Sequence, residues 1–493
     1  MLNLVLALAS GAVMVLLYPE WDFHFLAAVA LVPLLIAAAR ESSAKRRFLI
    51  GQAAGILYWF GACYWVEFVL EQHGGMDQGL AWLAFTLFCF AKALHLAVFT
   101  ALAGPLFRRW YAIPAVAALW TGIERTHSPL GFAWLLLGNA GIDMSVPMRM
   151  APLTGVYGLS FVFAVLNGAL AVLILQRGRR ALAPVLMLPL LVLLPALPPP
   201  GDTKESAVAV QPAIAQDAPK WDQNTVFQAI QKVSLLSLQE ALARDQPEAA
   251  LLLWPESPAP FYFYSDKTFQ EEARRLARLV RRPFLFGTVA HSLDNHPLNS
   301  AVMLDPGGEV VSRYDKMFLV PFGEFVPPLF GWVNRITQEA GDFEPGRQVV
   351  VSRTGGHVTG AFICYESAFP HLVRRFTAEG ADLLVNLSND GYFGRTSARG
   401  QHLLLARMRA AENGRWLLRP TNDGITASID PAGRLRARLP AYEATAGRLP
   451  FDWTSATTLY TRTGDWFAWL CLAGGLIACA WNFIQQSWPT FRP

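Results

Sequence analysis

Apolar runs of about membrane-spanning length fill the first 197 residues, and they constrain the fold more than any other feature of the sequence. Seven runs occur there, at 2–18, 23–39, 48–70, 80–106, 110–123, 157–176 and 181–197, and an eighth lies at 466–483. A helix of roughly 17–25 apolar residues can cross a bilayer. Hydrophobic residues make up 53% of the chain and charged residues only 16%, which is low in charge for a soluble enzyme. We therefore predict a polytopic α-helical membrane domain.

Basic residues in the loops predict the orientation of these runs. Clusters of Arg and Lys follow the second, fourth and sixth runs, at 40–47, 108–109 and 177–180. Positively charged loops favour the cytoplasmic side, so both termini are expected in the cytoplasm and residues 202–462 outside it. The first run could instead be a signal peptide, but no basic residue precedes it and no convincing cleavage site follows it.

A proline-rich linker at 198–201 separates residues 1–197 from a region of different character. In residues 202–462, apolar stretches of about six residues alternate with amphipathic stretches and with turns rich in Gly and Pro. This alternation is typical of an α/β sandwich with its own core. Residues 463–493 then form the last spanning helix and a short cytoplasmic tail.

Three chemically complementary side chains follow predicted buried strands. Glu256 follows the strand at 251–255, Lys316 the strand at 311–315, and Cys364 the strand at 358–363. A charged group in such a position is desolvated unless it has a partner. A carboxylate can accept a thiol proton, and an ammonium can stabilise a thiolate or an oxyanion. Each residue alone also has an ordinary interpretation, as a loop acid, a surface amine and a small buried thiol.

Composition argues against several other kinds of protein. The net charge of +4 is too small to indicate nucleic-acid binding, and the five cysteines have no metal-ligand spacing. Cys364 is the only cysteine between Cys89 and Cys471, so no disulfide can form within residues 202–462. The chain also has no phosphate-binding or dinucleotide-binding glycine motif.

The three positions lie in motifs that resemble the signatures of the nitrilase, or carbon–nitrogen hydrolase, superfamily. The motifs are Trp254-Pro-Glu-Ser257, Tyr314-Asp-Lys-Met-Phe-Leu-Val-Pro-Phe-Gly-Glu-Phe-Val-Pro327 and Ile363-Cys-Tyr-Glu366. The extension after Lys316 and the runs at 388–394 and 401–410 resemble the membrane-embedded branch, apolipoprotein N-acyltransferase. That family has seven helices, an outer nitrilase-like domain and an eighth helix, and the resemblance covers essentially the whole chain. It implies an α-β-β-α sandwich with a Glu-Lys-Cys triad.

The resemblance also implies roles for individual residues. Glu256 matches the general base, Lys316 the oxyanion-stabilising lysine and Cys364 the nucleophile. The supporting positions of the family are matched by Glu324, Tyr365 and Glu366. Its substrate-facing positions are matched by Trp221 and Tyr392. Tyr392 departs from the pattern, because the family often has Trp there. Ordinary packing or interfacial anchoring is the alternative for the two substrate-facing aromatic residues.

The implied reaction needs no cofactor and no metal. An acyl chain passes from a phospholipid, expected to be phosphatidylethanolamine, to a thioester on Cys364. It then passes to the free α-amine of an S-diacylglyceryl-cysteine at the start of an apolipoprotein, in ping-pong order. The family implies a bacterial inner-membrane protein with its catalytic domain in the periplasm. An apolar segment at 318–336 is expected to form a lid over the site, or else to be core.

Two other functions remain open from the sequence. A membrane-anchored amidase or nitrilase would use the same residues with water as the acceptor. A transporter or lipid-scaffolding protein would use the outer domain only for binding. The apolar runs contain few charges, with Glu67 and Lys92 as exceptions, and transport pathways usually need such charges.

Overall fold

The computed structural model describes the chain except at residues 129–131, 177–178, 216–220, 258, 322, 326–342 and 488–493. It divides into two compact units. The first comprises Met1–Glu67, Gly79–Leu197 and Thr463–Pro493, and the second comprises Phe68–Gln78 and Pro198–Arg462. Most of the expected lid at 318–336 lies outside the described residues.

Apolar helices make up the first unit. In chain order, the helices up to residue 174 are α1 (Leu2–Val15), α2 (Val32–Arg40), α3 (Ala44–Ala62), α4 (Trp65–Gln72), α5 (Gln78–Leu106), α6 (Ala112–Arg125), α7 (Ala151–Thr154) and α8 (Val156–Ile174). Small residues let them approach closely. A Cβ added to Gly11 would lie 2.5 Å from the carbonyl oxygen of Ala54, and one added to Gly122 would lie 2.4 Å from Cα of Leu472. Such close backbone contacts are typical of helices packed in membranes.

Within the described residues, three helices are long and apolar enough to cross a membrane: α5, α8 and the C-terminal helix that begins at Trp466. Helices α3 and α4 form a fourth candidate, bent by 61°, if they make one span. The seventh apolar run, expected to be a spanning α-helix, instead forms a 3₁₀ helix at Arg179–Leu193. Pro184 and Pro189 lack amide donors within it, which disfavours regular α-helical hydrogen bonding.

Two six-stranded sheets form the second unit. Its strands are β1 (Glu205–Gln211), β2 (Leu251–Leu253), β3 (Phe284–His291), β4 (Pro297–Leu304), β5 (Val310–Asp315), β6 (Val351–Thr354), β7 (His357–Ile363), β8 (Leu383–Leu387), β9 (Leu417–Arg419), β10 (Ala427–Ile429), β11 (Leu435–Arg438) and β12 (Thr445–Phe451). The first sheet has the order β12-β1-β2-β3-β4-β5, and the second has the order β11-β10-β9-β8-β7-β6.

Helices cover the outer faces of the two sheets. In chain order, the remaining α-helices are α9 (Gln223–Ala241), α10 (Lys267–Val280), α11 (Pro370–Ala378), α12 (Ala398–Asn413), α13 (Leu459–Thr463) and α14 (Trp466–Ser487), the last of which belongs to the first unit. Val233 of α9 and Phe269 of α10 share one buried core with Val208 and Phe286 of the first sheet. Phe376 of α11 packs against the second sheet. The predicted fold class, a helical membrane region followed by an α-β-β-α sandwich, is confirmed.

Residues 68–78, which the sequence places in the membrane domain, belong to the second unit. Two aromatic contacts explain this assignment. A Cβ on Gly394 would lie 2.6 Å from the ring of Phe68, and the ring of His73 lies 4.5 Å from that of Tyr392. The segment is therefore packed against the sandwich although the chain on either side of it is helical and apolar.

Strand directions bring two of the predicted site residues to one sheet edge. Strand β2 is parallel to β3, which is antiparallel to β4, which is antiparallel to β5. Strands β2 and β5 therefore run the same way, and Glu256 and Lys316 follow their carboxyl ends. Gly287 on β3 lets the segment after β2 pass close by, because a Cβ there would lie 2.7 Å from Cα of Glu256 and 2.6 Å from the nitrogen of Ser257.

We predict that Gly287→Ala displaces the Glu256 segment and destabilises the fold by about 1–3 kcal/mol, since overpacking a filled site costs that much. Thermal unfolding of the detergent-solubilised protein measures the effect as a lower Tm. Gly201→Ala is the matched control, because a Cβ at Gly201 meets nothing within 4 Å. Equal Tm values for the two variants would contradict the steric argument.

Candidate active site

One cavity in the second unit, of about 320 Å³, brings together six of the eight predicted site residues. The six are Trp221, Glu256, Lys316, Glu324, Cys364 and Tyr392. Glu256, Lys316 and Cys364 are buried, at 7%, 1% and 6% exposure. These three chemically complementary groups therefore meet with little of their surface exposed to solvent.

Lys316 lies between two carboxylates. Its Nζ is 2.9 Å from Oε1 of Glu324 and 3.4 Å from Oε1 of Glu256. Burial lowers the pKa of this ammonium, but the charges of Glu324 and Glu256 outweigh burial and hold the pKa well above its usual range. The lysine therefore stays cationic, as a group that binds a developing oxyanion must.

Asn299 on β4 joins the two carboxylates and was not predicted from the sequence. Its Nδ2 donates to Oε1 of Glu256 at 2.8 Å and to Oε1 of Glu324 at 2.6 Å. Its carbonyl oxygen accepts from the backbone nitrogen of Lys316 at 2.8 Å. The only sequence signal is a pair of polar residues, Asn299 and Ser300, near the start of a strand that is otherwise apolar, and such a pair is easily taken for the end of a strand.

The second oxygen of Glu256 also has a defined partner. Its Oε2 accepts a hydrogen bond from the backbone nitrogen of Asn389 at 2.9 Å. Asn389 follows β8, next to β7 in the second sheet. The carboxylate of Glu256 is thus held from both sheets, which orients it within the cavity.

Cys364 occupies a strained backbone position. Its φ is +50°, a left-handed conformation that non-glycine residues seldom adopt, at the point where β7 ends and a 3₁₀ turn, Cys364–Ala368, begins. Burial and the charge of Glu256 raise the pKa of the thiol above its ordinary value, and Lys316 only partly opposes them. The resting sulfur is therefore a protonated thiol.

Glu366 does not line the cavity, and its carboxylate connects two loops by hydrogen bonds. Its Oε2 accepts from the nitrogen of Ile363 at 2.8 Å. Its Oε1 accepts from the hydroxyl of Tyr314 and from the nitrogen of Met317, each at 2.7 Å. The carboxylate therefore connects the segment that carries Lys316 to the segment that carries Cys364.

The two remaining predicted groups differ in their surroundings. Tyr365 is buried and packs edge-to-face on Phe369, with the ring centroids 5.1 Å apart, and it does not line the cavity. Trp221 and Tyr392 line the cavity but remain 38% and 41% exposed. Partly exposed aromatic rings at a cavity mouth suit contact with apolar ligands.

This sandwich and its Glu-Lys-Cys site define a catalytic domain of the carbon–nitrogen hydrolase class. The Carbon-nitrogen hydrolase family model matches residues 207–447. The model of the Apolipoprotein N-acyltransferase N-terminal domain matches residues 10–169. The chain belongs to the apolipoprotein N-acyltransferase family, and it is accordingly a membrane protein and an acyltransferase.

Relatives of that name match over nearly the whole chain. The apolipoprotein N-acyltransferase of Geobacter metallireducens is 34% identical, covering 98% of this chain and 96% of its own. That of Azotobacter vinelandii is 31% identical, covering 98% and 95%, and that of Vibrio cholerae is 30% identical, covering 93% and 92%. Among solved structures, an amidase from Nesterenkonia sp. is 22% identical with a TM-score of 0.38, covering 54% of this chain and 94% of its own.

We predict that Glu366 makes stability depend on pH. Burial raises its pKa from 4.5 to about 6, although its hydrogen bonds act in the opposite direction. Because the folded-state pKa is raised, the contribution is present below pH 4.5 and is lost as the pH rises to about 6. Relative to Glu366→Gln, wild-type stability should fall across that interval by roughly 2 kcal/mol.

Thermal unfolding at a series of pH values measures this difference. Glu379→Gln makes the same charge change at an exposed position, and its Tm should follow the wild-type curve. Parallel curves for wild type and Glu366→Gln between pH 4.5 and 6 would show that Glu366 does not titrate there.

Proposed function

We propose that this enzyme completes bacterial lipoproteins by moving an acyl chain from a phospholipid to a lipoprotein amine through a thioester on Cys364. The observation that carries the proposal is the shared cavity of Glu256, Lys316 and Cys364, in a chain whose full-length relatives are named for this activity. The phospholipid donor is phosphatidylethanolamine, and the acceptor is the α-amine of an amino-terminal S-diacylglyceryl-cysteine.

In the first step, the thiol of Cys364 attacks an ester carbonyl of the phospholipid while Glu256 takes the thiol proton. The protonated resting state of the thiol makes this base necessary. The carbonyl oxygen becomes an oxyanion that the ammonium of Lys316 stabilises. When the carbon–oxygen bond breaks, the lysophospholipid alkoxide receives the proton from Glu256 and leaves, and the acyl chain remains on sulfur.

In the second step, the α-amine of the diacylglyceryl-cysteine attacks the thioester. Glu256 accepts a proton from the attacking nitrogen, Lys316 again stabilises the oxyanion, and the carbon–sulfur bond breaks. The departing sulfur receives the proton, so that Cys364 is again a thiol and the product is an amide. Conversion of a thioester to an amide is downhill, so the reaction needs no ATP.

Glu324 holds Lys316 in place through the contact at 2.9 Å, and Trp221 and Tyr392 contact the acyl chains at the cavity mouth. The hydroxyl of Tyr392 distinguishes this mouth from that of relatives with Trp. An enzyme anchored in the bilayer avoids extracting its lipid substrates, which would cost about 0.8 kcal/mol for each exposed methylene. The loop arginines support a periplasmic catalytic domain with both termini in the cytoplasm.

We expect purified wild-type enzyme to gain the mass of one acyl chain on Cys364 when incubated with phosphatidylethanolamine vesicles, and Cys364→Ala to gain none. Intact-mass spectrometry makes the measurement, and unfolding temperature shows that the variant is folded. Cys89→Ala, which removes a thiol of helix α5, is the matched control and should still be acylated. Acylation of folded Cys364→Ala would exclude Cys364 as the nucleophile.

Adding a diacylglyceryl-cysteine peptide should discharge the acyl-enzyme and give the N-acylated peptide. Discharge in buffer alone should be much slower, because the acceptor is an amine and not water. Hydrolysis as fast as transfer would favour the amidase alternative. Phosphatidylglycerol vesicles as effective as phosphatidylethanolamine vesicles would contradict the stated donor.

Lys316→Met should slow formation of the acyl-enzyme about 10²–10³-fold, the usual cost of removing one oxyanion donor. Methionine keeps a similar length without the charge. Lys232→Met is the control, since Lys232 bonds only to the carbonyl oxygen of Pro212 among the described residues, and it should acylate at the wild-type rate. A Lys316→Met rate near that of wild type would remove the lysine from the mechanism.

A further inference from the structure

A buried group of polar side chains, separate from the cavity, lies behind the nucleophile. The group comprises His402 on α12, Asp390 just after β8, and Arg419 at the end of β9. All three are fully buried at 0% exposure, and none lines the cavity. Burying ionisable groups is costly unless they are well paired, so their pairing calls for an explanation.

The contacts form a continuous path from Arg419 to the nucleophile. Arg419 binds both oxygens of Asp390, with Nη2 2.8 Å from Oδ1 and Nη1 3.0 Å from Oδ2. Nδ1 of His402 lies 3.0 Å from Oδ1 of Asp390 and 2.8 Å from Nη2 of Arg419. Nε2 of His402 lies 2.9 Å from the carbonyl oxygen of Cys364.

The direction of the last hydrogen bond follows from its chemistry. A backbone carbonyl oxygen can only accept, so Nε2 of His402 carries the hydrogen and donates it. Nδ1 lies between Oδ1 of Asp390 and Nη2 of Arg419, which are themselves joined in a two-bonded ion pair. It accepts from Arg419 when the ring is neutral and donates to Asp390 when the ring is protonated, so one of the two bonds holds the ring in either state. The imidazole therefore has little freedom to rotate, and its Nε2 donor is aimed at one atom of the nucleophile residue.

That carbonyl oxygen belongs to the one site residue with a strained backbone. Cys364 has φ +50°, and such strain persists only when the surrounding structure determines it. The residue before it is held by Glu366, which accepts from the nitrogen of Ile363 at 2.8 Å. His402 holds the carbonyl after it. The two contacts thus fix the backbone on both sides of the Cα that carries the thiol.

We propose that His402, held by Asp390 and Arg419, is a positioning residue that fixes the left-handed backbone of Cys364 through its carbonyl oxygen and so aims the sulfur at the acyl donor. The inference rests on the proposed role of Cys364 as the acylated nucleophile. His402 itself does not touch the reacting atoms. Its effect is therefore on the rate of attack and not on the binding of lipid.

The test compares His402→Leu, which removes the donor, with His402→Gln and His402→Asn. The amide nitrogen of glutamine reaches about as far as Nε2 of histidine, whereas that of asparagine reaches only about as far as Nδ1. Asn413→Leu is the matched control. It also removes buried hydrogen bonds, to Arg409 and Thr461, from helix α12, but it lies eleven residues away, about 16 Å along the helix.

Two rates are measured on folded, full-length protein in detergent. One is formation of the acyl-enzyme as the concentration of phosphatidylethanolamine is varied, which separates the maximal rate from KM. The other is alkylation of Cys364 by iodoacetamide, followed by intact mass across a range of pH. The second rate reports the placement of the sulfur without any lipid, so it decides the inference even if wild type forms no thioester and the proposed function fails.

We expect His402→Leu to lower the maximal acylation rate about 100-fold, the usual effect of misplacing a reacting group by an ångström, with KM unchanged. Alkylation should also change in rate and in its pH profile. His402→Gln should recover to within about tenfold of wild type, since one neutral hydrogen bond is worth about 1 kcal/mol. Asn413→Leu should have a lower Tm than wild type but wild-type rates of acylation and alkylation.

The opposite results overturn the proposal. One such result is a folded His402→Leu variant with wild-type acylation and alkylation rates. Another is a loss of these rates in Asn413→Leu as large as that in His402→Leu. A third is equal acylation and alkylation rates in His402→Gln and His402→Asn. If His402→Leu does not fold, the Gln and Asn pair decides, because both keep a polar group in the buried site. Only the glutamine variant should then retain the wild-type alkylation profile.

Discussion

A buried ammonium between two carboxylates is the interaction on which the catalytic domain depends. Lys316 is 1% exposed and lies 2.9 Å and 3.4 Å from Glu324 and Glu256. Without these partners its charge would be too costly to bury. The carboxylates in turn share one amide donor, Asn299, so the four side chains can exist in the interior only as a set. The end of the first sheet, the loop after β5 and the close approach at Gly287 all serve to assemble that set.

The same set determines the state of the sulfur. Burial raises the pKa of Cys364, and the excess negative charge of two carboxylates over one ammonium raises it further, so the resting residue is a thiol. A neutral thiol is protected from side reactions while no substrate is bound, because a thiolate is the form that oxidants and electrophiles attack. In the proposed mechanism, the proton leaves only when a carbonyl is present and Glu256 can take it. Glu256 and Lys316, the proposed base and oxyanion donor, already lie 3.4 Å apart, so the proposed reaction needs little rearrangement.

Support for the site comes from two kinds of residue. Glu366 and the His402–Asp390–Arg419 group lie outside the cavity and hold backbone atoms: the nitrogens of Ile363 and Met317 and the carbonyl oxygen of Cys364. We infer that these contacts with backbone atoms maintain the strained φ of +50° at Cys364. This division explains why some motif residues are buried while Trp221 and Tyr392 remain partly exposed at the cavity mouth. The first set binds backbone atoms, and the second set is the one that we propose contacts apolar substrates.

Local patterns were enough to predict the fold class and the chemical types of the site, because apolar runs and charged residues at strand ends can be recognised within one short segment. The positions of Glu256, Lys316 and Cys364 followed from those patterns together with the resemblance to a known family. Contacts between distant segments could not be predicted in this way: Asn299 bridges two acids, His402 reaches Cys364 from 38 residues away, and residues 68–78 pack on the sandwich. The 3₁₀ geometry of the seventh apolar run also became apparent only in the folded chain. Hydrogen bonds between distant segments, and the net charge of a buried cluster, depend on distances that no local pattern contains.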